Sequence, residues 1–261
     1  MVATSTARPL SQDHSFPPGE LRVIEVQDFH KTFGNQVAAQ GITFRVEPGE
    51  LLAIIGPNGA GKTTTMRALA GIIPASRGRL SIAGFDVEAD AIEAKSRLAF
   101  VPDDAPLFHD LTVDEHLSFY ASIYDVNDAS SKALRLLDEF ELTSKIRTTA
   151  SNLSRGMRQK LAICCAYLHD PRAILFDEPL TGLDPQGIRI FKRSLQERAA
   201  QGAAVMISSH MLAMVEDLCT HVLILDGGVQ RFFGPIDELR TSFGDVDAAA
   251  SLEDLFFATT S

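Results

Sequence analysis

The strongest constraint on the fold is the octapeptide Gly56-Pro57-Asn58-Gly59-Ala60-Gly61-Lys62-Thr63. It follows Leu51-Leu52-Ala53-Ile54-Ile55, a run apolar at every position, as a strand covered on both faces requires. The residues after it, Thr63–Leu69, read as a helix. Glycines in such a turn let successive backbone N–H groups curve around an anion, and the helix presents its positive end at the same point. The octapeptide fits the phosphate-binding pattern G-x-x-x-x-G-K-[ST]. Gly56, Pro57, Asn58, Gly59, Ala60, Gly61, Lys62, Thr63 and the adjoining Thr64 are therefore candidates for binding a nucleoside triphosphate. Lys62 is placed to reach the β- and γ-phosphates, and the Thr63 hydroxyl to ligate Mg²⁺. A strand, a glycine loop and a helix open an α/β nucleotide-binding fold without choosing among its families.

A second strand supplies carboxylates. Ala173-Ile174-Leu175-Phe176 runs directly into Asp177-Glu178-Pro179, and ligands of open α/β sheets gather at the C-terminal ends of strands. Asp177 is the candidate Mg²⁺ ligand and Glu178 the candidate general base for an attacking water. An acidic pair at a strand end is common by itself; the phosphate-binding loop upstream gives this one its meaning.

The chain between these motifs changes character. Short strands are expected at Leu21–Val26 and Ile42–Val46, but from about Leu111 to Leu168 helical spacing dominates. Thr112 and Glu115 form a capping box. Leu117, Tyr120, Ala121 and Tyr124 then keep the i, i+3, i+4, i+7 spacing of a buried helical face. A second helix is expected over Ala129–Phe140 with Ala133, Leu134 and Leu137 on one side. A third starts near Arg155 and carries Met157, Leu161, Cys164 and Leu168 in one stripe. Strands return at Ala203–Ile207 and His221–Leu225, the latter turning through Asp226-Gly227-Gly228 into Val229–Phe233. The simplest organisation is a helical block inserted in an α/β core. Residues 1–19 read as a flexible extension, 20–240 as the nucleotide-binding domain with its helical part at about 105–168, and 241–261 as a tail with a short helix.

Composition removes other classes. The chain is 45% hydrophobic, enough for a sizeable core and too much for a disordered chain. No run approaches the roughly 20 apolar residues of a membrane span, and the first residues show no apolar signal core. With 24 Lys+Arg against 34 Asp+Glu the net charge is −10, which repels nucleic-acid phosphates, so no nucleic-acid partner is expected. Cys164, Cys165 and Cys219 match no zinc spacing and read as buried thiols in a reducing compartment.

Three further segments complete a set. Asn152-Leu153-Ser154-Arg155-Gly156-Met157-Arg158-Gln159-Lys160 precedes the acidic strand, Thr181-Gly182-Leu183-Asp184 follows it, and Ser208-Ser209-His210 follows the next strand. In this order, over roughly residues 21–240, the chain resembles the ATP-binding-cassette (ABC) ATPases. The resemblance implies a P-loop core with an antiparallel β subdomain and an inserted helical subdomain. It implies ATP and Mg²⁺ as cofactors, Ser154 and Gly156 as signature residues meeting the γ-phosphate of a nucleotide on a partner subunit's loop, and Leu183 and Asp184 as the dimer-communicating loop. It also implies His210 as the switch histidine and Phe33 as the aromatic that stacks on adenine.

Two positions depart from that family's pattern. Arg155 and Met157 stand where Leu-Ser-Gly-Gly-Gln is usual, and Asp103, after Phe100-Val101-Pro102, stands near the place of the lid glutamine; a carboxylate at Asp103 can ligate Mg²⁺ or water but cannot donate as an amide does. Both departures, with Gly234–Leu239 and Ser251–Phe256, resemble the ATPases of bacterial ABC-2-type exporters. The implied assembly is a homodimer, or a pair with a second ATPase subunit, docked through the helical block to a separate transmembrane permease. Its place would be the cytoplasmic face of the cell membrane. Phe108, Leu111 and Tyr120 are candidates for the permease contact. A non-transport ABC-type ATPase and a regulatory module with impaired catalysis remain alternatives.

Overall fold

A computed structural model describes residues 22–242 and 251–260, with side chains described up to Leu239 and over 251–256. The expected extension over 1–19 lies outside the described residues, as does the 243–250 part of the expected tail.

The chain begins with β1 (Ile24–Phe33), β2 (Gln36–Val46) and β3 (Leu51–Ile55), then α1 (Lys62–Leu69). After β4 (Arg77–Ile82), β5 (Phe85–Asp86), α2 (Ala91–Lys95) and β6 (Leu98–Val101) come three longer helices, α3 (Val113–Ile123), α4 (Ala129–Glu139) and α5 (Arg155–Tyr167). The return to the core runs through β7 (Ala173–Asp177), α6 (Pro185–Ala200), β8 (Ala204–Ser208), α7 (Leu212–Leu218), β9 (His221–Asp226) and β10 (Val229–Pro235). It ends in α8 (Ile236–Ser242) and α9 (Leu252–Thr260).

The strands form one sheet in the order β5-β4-β1-β2-β10-β9-β3-β8-β7-β6. Its β1, β2, β4 and β5 end is antiparallel, whereas β9, β3, β8, β7 and β6 run parallel. The single parallel bridge Val229↔Gln40 joins the two halves. The apolar runs are covered on both faces, as expected. In β3, Leu51, Ala53 and Ile55 face one core with α5 and α6, while Leu52 and Ile54 face the other with Met66 and Leu69 of α1. Strands β7 and β8 divide their side chains in the same way. Each fully buried aliphatic side chain contributes about 1.5–3 kcal/mol, so a charge placed anywhere along these strands has no face on which to hide.

Helices α3 and α6 start at residues that cap them. Thr112 Oγ1 accepts from Glu115 N–H at 3.2 Å while Glu115 Oε2 accepts from Thr112 N–H at 2.7 Å, a complete capping box on α3. Asp184 Oδ1 caps α6 by accepting from Gly187 N–H at 2.8 Å, with Pro185 in the first turn.

Several expectations are corrected. The first strand covers Ile24–Phe33 rather than ending at Val26, because it pairs with both β2 and β4 along its length. The structure adds β4, β5, α2, α6, α7 and α8, which the residue pattern left unassigned. In α4 the buried stripe runs through Ala133, Leu136, Leu137 and Phe140 against α5. Leu134 is instead 53% exposed, one position round the helix from that stripe. Cys164, Cys165 and Cys219 are free and buried, and burial pushes all three thiols up.

Candidate nucleotide site

The loop after β3 is held by close backbone approach. Gly61 has φ +101°, and a Cβ there would stand 2.5 Å from the Ala38 carbonyl oxygen, so only glycine fits. The Lys62 ammonium donates to the Gly56 carbonyl at 2.7 Å and the Pro57 carbonyl at 3.2 Å. Burial lowers the Lys62 pKa, while the negative charges of Glu178 and Asp177 oppose that fall. A cavity of about 330 Å³ is lined by Phe33, Asn58, Gly59, Ala60, Gly61, Lys62, Thr63, Thr64, Asp177 and Glu178, large enough for a small organic ligand. Phe33 is half exposed at its edge, with the Lys31 ammonium 5.0 Å from the ring centre.

The carboxylates meet the loop because β7 lies beside β8 in parallel register, with Asp177 opposite Ser208. Ser208 Oγ donates to Asp177 Oδ1 at 2.7 Å and accepts from Glu178 N–H at 2.8 Å. Both Asp177 and Ser208 are buried. One hydroxyl thus fixes the first carboxylate and the backbone of the second. Glu178 itself has φ +49°, the left-handed region that costs a residue with a long side chain about 1 kcal/mol or more. His210 Nδ1 lies 2.9 Å from Glu178 Oε2, and because the carboxylate accepts, Nδ1 carries the proton in this contact.

A second cavity, about 610 Å³, adjoins the first and is lined by Gly56, Pro57, Asn58, Lys62, Asp103, Glu178, His210 and Phe256 among others. Asp103 is exposed and lies 3.7 Å from the Arg155 guanidinium. The two departures from the family pattern therefore face each other in one chain. The Arg155 stem lies over Gly182, whose would-be Cβ meets its Cγ and Cδ at 3.0 Å.

Ser154 and Gly156 line neither cavity. Ser154 caps α5 by accepting from Met157 N–H at 3.2 Å, and the N-terminus of that helix carries positive partial charge. Gly156 has a packing reason within the chain: a Cβ there would stand 2.5 Å from the Gly182 carbonyl oxygen.

A separate groove of about 230 Å³ runs between the β6 edge and α3 and α5, lined by Ile72, Lys95, Pro102, Leu107, Tyr120 and Tyr124 among others. His169 stacks on Tyr124 with ring centres 3.8 Å apart and planes at 9°. Beside it Phe108 and Phe119 are exposed and meet edge to face at 5.2 Å. Phe108 is held by buried His116, which accepts from Phe108 N–H through Nε2 at 3.0 Å and contacts the Thr112 carbonyl through Nδ1 at 2.8 Å. Leu111 is only partly exposed.

The motifs do not reveal the bridging role of Ser208 or the place of Phe256 on the cavity wall. A small hydroxyl residue closing the apolar strand next to the acidic one was the available signal for Ser208; nothing local marks Phe256.

Among known proteins, a family model described as "ABC transporter" matches residues 39–181. The chain is 33% identical over 242 residues to the ABC-type transporter ATP-binding protein EcsA of Bacillus subtilis (strain 168), covering 92% of this chain and 97% of that one. It is 32% identical to the Nod factor export ATP-binding protein I of Rhizobium etli, over 80% of this chain and 66% of the relative. A solved structure described as the ATP-binding subunit of an ABC transporter superposes with a TM-score of 0.88 at 34% identity, covering 92% of this chain and all of the other. The loop, the acidic strand end and the histidine thus sit in a fold and a sequence shared with these proteins, and the chain belongs to the ABC transporter family as an ATP-binding ATPase subunit.

Proposed function

We propose that this subunit powers export through a separate membrane permease, by ATP-driven pairing of two ATPase subunits and hydrolysis at Glu178. The observation that carries the chemistry is the convergence of Lys62, the Ser208-tied pair Asp177 and Glu178, and His210 on two adjoining cavities. ATP lies with its phosphates on Gly56–Thr64 and its adenine against Phe33. Lys62 exchanges its loop carbonyls for the β- and γ-phosphates. Glu178 accepts a proton from the attacking water as the new P–O bond forms and the bond to the bridging oxygen of ADP breaks. His210, donating from Nδ1, keeps the Glu178 carboxylate oriented and reaches the γ-phosphate.

The residues present suit Mg²⁺. Thr63 and Asp177 offer one hydroxyl and one carboxylate to the same cavity, and magnesium takes one or two protein oxygens and completes its octahedron with phosphate and water. When bound it would neutralise charge on the phosphate oxygens. Asp103 is a candidate for an outer position only, given its Arg155 neighbour.

Ser154 and Gly156 lie away from the Lys62 cavity, which supports a role toward the nucleotide of a second copy or of a paired ATPase subunit. The apolar groove beside exposed Phe108 and Phe119 supports docking of the permease there. No helix among the described residues is long and apolar enough to cross a membrane, and we place the subunit at the cytoplasmic face of the cell membrane, bound to its permease. The names of the relatives, one of them an export protein, support export, and the net charge of −10 supports the expectation of no nucleic-acid partner. We assign residues 20–240 to the ATPase domain, with 1–19 as extension and 241–261 as tail.

Glu178→Gln tests the chemistry. It keeps the hydrogen-bonding shape but removes the base, so kcat falls by about a hundredfold or more while ATP binding is retained. Near-normal hydrolysis in this variant removes Glu178 as the base.

A further inference from the structure

The C-terminal helix α9 touches the site from outside the motifs. Its start is capped by Ser251 and Asp254: Asp254 Oδ2 accepts from Ser251 Oγ at 2.7 Å and from Ser251 N–H at 3.1 Å. Leu252 and Leu255 are each 1% exposed and belong to the same core as β9, α6 and α7. The helix packs on α7, β9 and β10, and Leu252 N–H donates to Glu216 Oε2 of α7 at 3.4 Å. From the next turn, Phe256 lines the cavity shared by Lys62, Glu178, His210 and Leu212.

Helix α7 depends on such support. It has seven residues, Leu212–Leu218, and its cap residue Met211, next to His210, makes no side-chain hydrogen bond. A helix so short is not stable alone and lies where its packing partners put it. Its Met214, Val215 and Leu218 are buried. The segment that leads into it, Ser209–Met211, is held by the Met211 N–H to Ser209 Oγ bond of 3.0 Å. The His210 side chain itself is 75% exposed, with the Glu178 carboxylate as its hydrogen-bond partner. Whatever shifts α7 therefore shifts His210 relative to Glu178.

We infer that α9 is a positioning element for the ATPase site: it braces α7, and Phe256 walls the cavity so that the His210 imidazole stays on Glu178. The inference rests on the proposed roles of Glu178 and His210. Phe256 does no chemistry. Its ring contributes shape to the cavity wall, and its anchorage comes from the buried Leu252 and Leu255 of the same helix.

The test uses the purified full chain with Mg-ATP, comparing Phe256→Ala, Phe256→Leu and His210→Ala. Steady-state kcat and KM are measured together with the melting temperature and amide hydrogen exchange over Leu212–Leu218. Phe256→Ala is expected to lower kcat about tenfold, the scale of a sub-ångström misplacement. Its KM for ATP and its melting point stay near the parent values, and exchange over α7 is faster. Phe256→Leu restores most of the rate. Unchanged kcat and α7 exchange in Phe256→Ala, with His210→Ala inactive, overturns the brace and leaves the site reading intact. A fall in kcat that tracks a raised KM and a lower melting point, with no rescue by leucine, also overturns it, since that is a loss of fold and not of position. Full activity in His210→Ala overturns the site reading; the α7 exchange rates then still decide whether α9 braces the helix.

Discussion

Ser208→Ala isolates the bond on which the proposed catalytic geometry turns. Ser208 Oγ is buried, donates to a carboxylate that is 4% exposed, and accepts from the backbone N–H of Glu178. Deleting it removes a hydrogen bond to a charged group and leaves the Asp177 oxygen and the Glu178 N–H short of a partner. A hydrogen bond to a charged group contributes about 1.5–3 kcal/mol, and a buried group left unmet costs about 1–3 kcal/mol. These overlap, so the expected loss is about 3 kcal/mol. For a chain of this size that lowers the melting temperature by roughly 10 °C. The same bond holds Glu178 in its left-handed backbone conformation, so its loss lets the carboxylate relax, and kcat falls about tenfold to a hundredfold. Ser209→Ala is a control for the melting temperature alone, because Ser209 Oγ accepts from Met211 N–H, worth about 1 kcal/mol, and that bond also holds the segment carrying His210. Thermal unfolding and steady-state ATP hydrolysis on the three proteins decide the matter. A Ser208→Ala protein that melts within a degree or two of the parent refutes the energetic argument. One that melts low but turns over ATP normally refutes the claim that this bond sets the position of Glu178.

Two other outcomes follow from the geometry. Gly156→Ala drives a methyl to 2.5 Å from the Gly182 carbonyl, so it destabilises by about 1–3 kcal/mol through overpacking; unfolding in urea checks this, and an unchanged midpoint would show that the turn at Gly182 yields freely. His169, stacked on Tyr124, is held neutral because burial lowers its pKa from 6.5 to about 4. The unfolded chain therefore binds the extra proton first, and stability is lost as pH falls from 6.5 toward 4, by about 3 kcal/mol from this group. His169→Phe keeps the stacking and flattens that acid limb. An identical pH profile in the two proteins would show that His169 does not contribute to it.

The parts legible in the sequence are those whose cause is local. A buried strand declares itself by an unbroken apolar run, as in Leu51–Ile55 and Ala173–Phe176. The α3 start is written in Thr112 and Glu115, three residues apart, and the turn at Gly227-Gly228 joins two strands that can only pair as a hairpin. The phosphate-binding loop is contiguous, so its chemistry could be named before its geometry. Where burial depends on which neighbour arrives, the reading failed: Leu134 and Leu136 look alike in a helix pattern, and only the placement of α5 buries the second. Strand β4 was invisible because its first three residues are exposed and its pairing with β1 lies some fifty residues upstream in the chain.

By itself the sequence determined that Gly56–Thr64 has the pattern of a phosphate-binding loop and that two carboxylates close a buried strand. Tertiary structure decided how those groups are held. Ser208 bridges Asp177 and Glu178 because parallel register sets β8 beside β7, Gly156 is glycine because the Gly182 carbonyl passes over it, and Phe256 enters the cavity because Leu252 and Leu255 bury in the core next to α7. Each of these contacts joins residues far apart in the chain. Their energies depend on distances set by the packed sheet and helices, which no local spacing of residue types encodes.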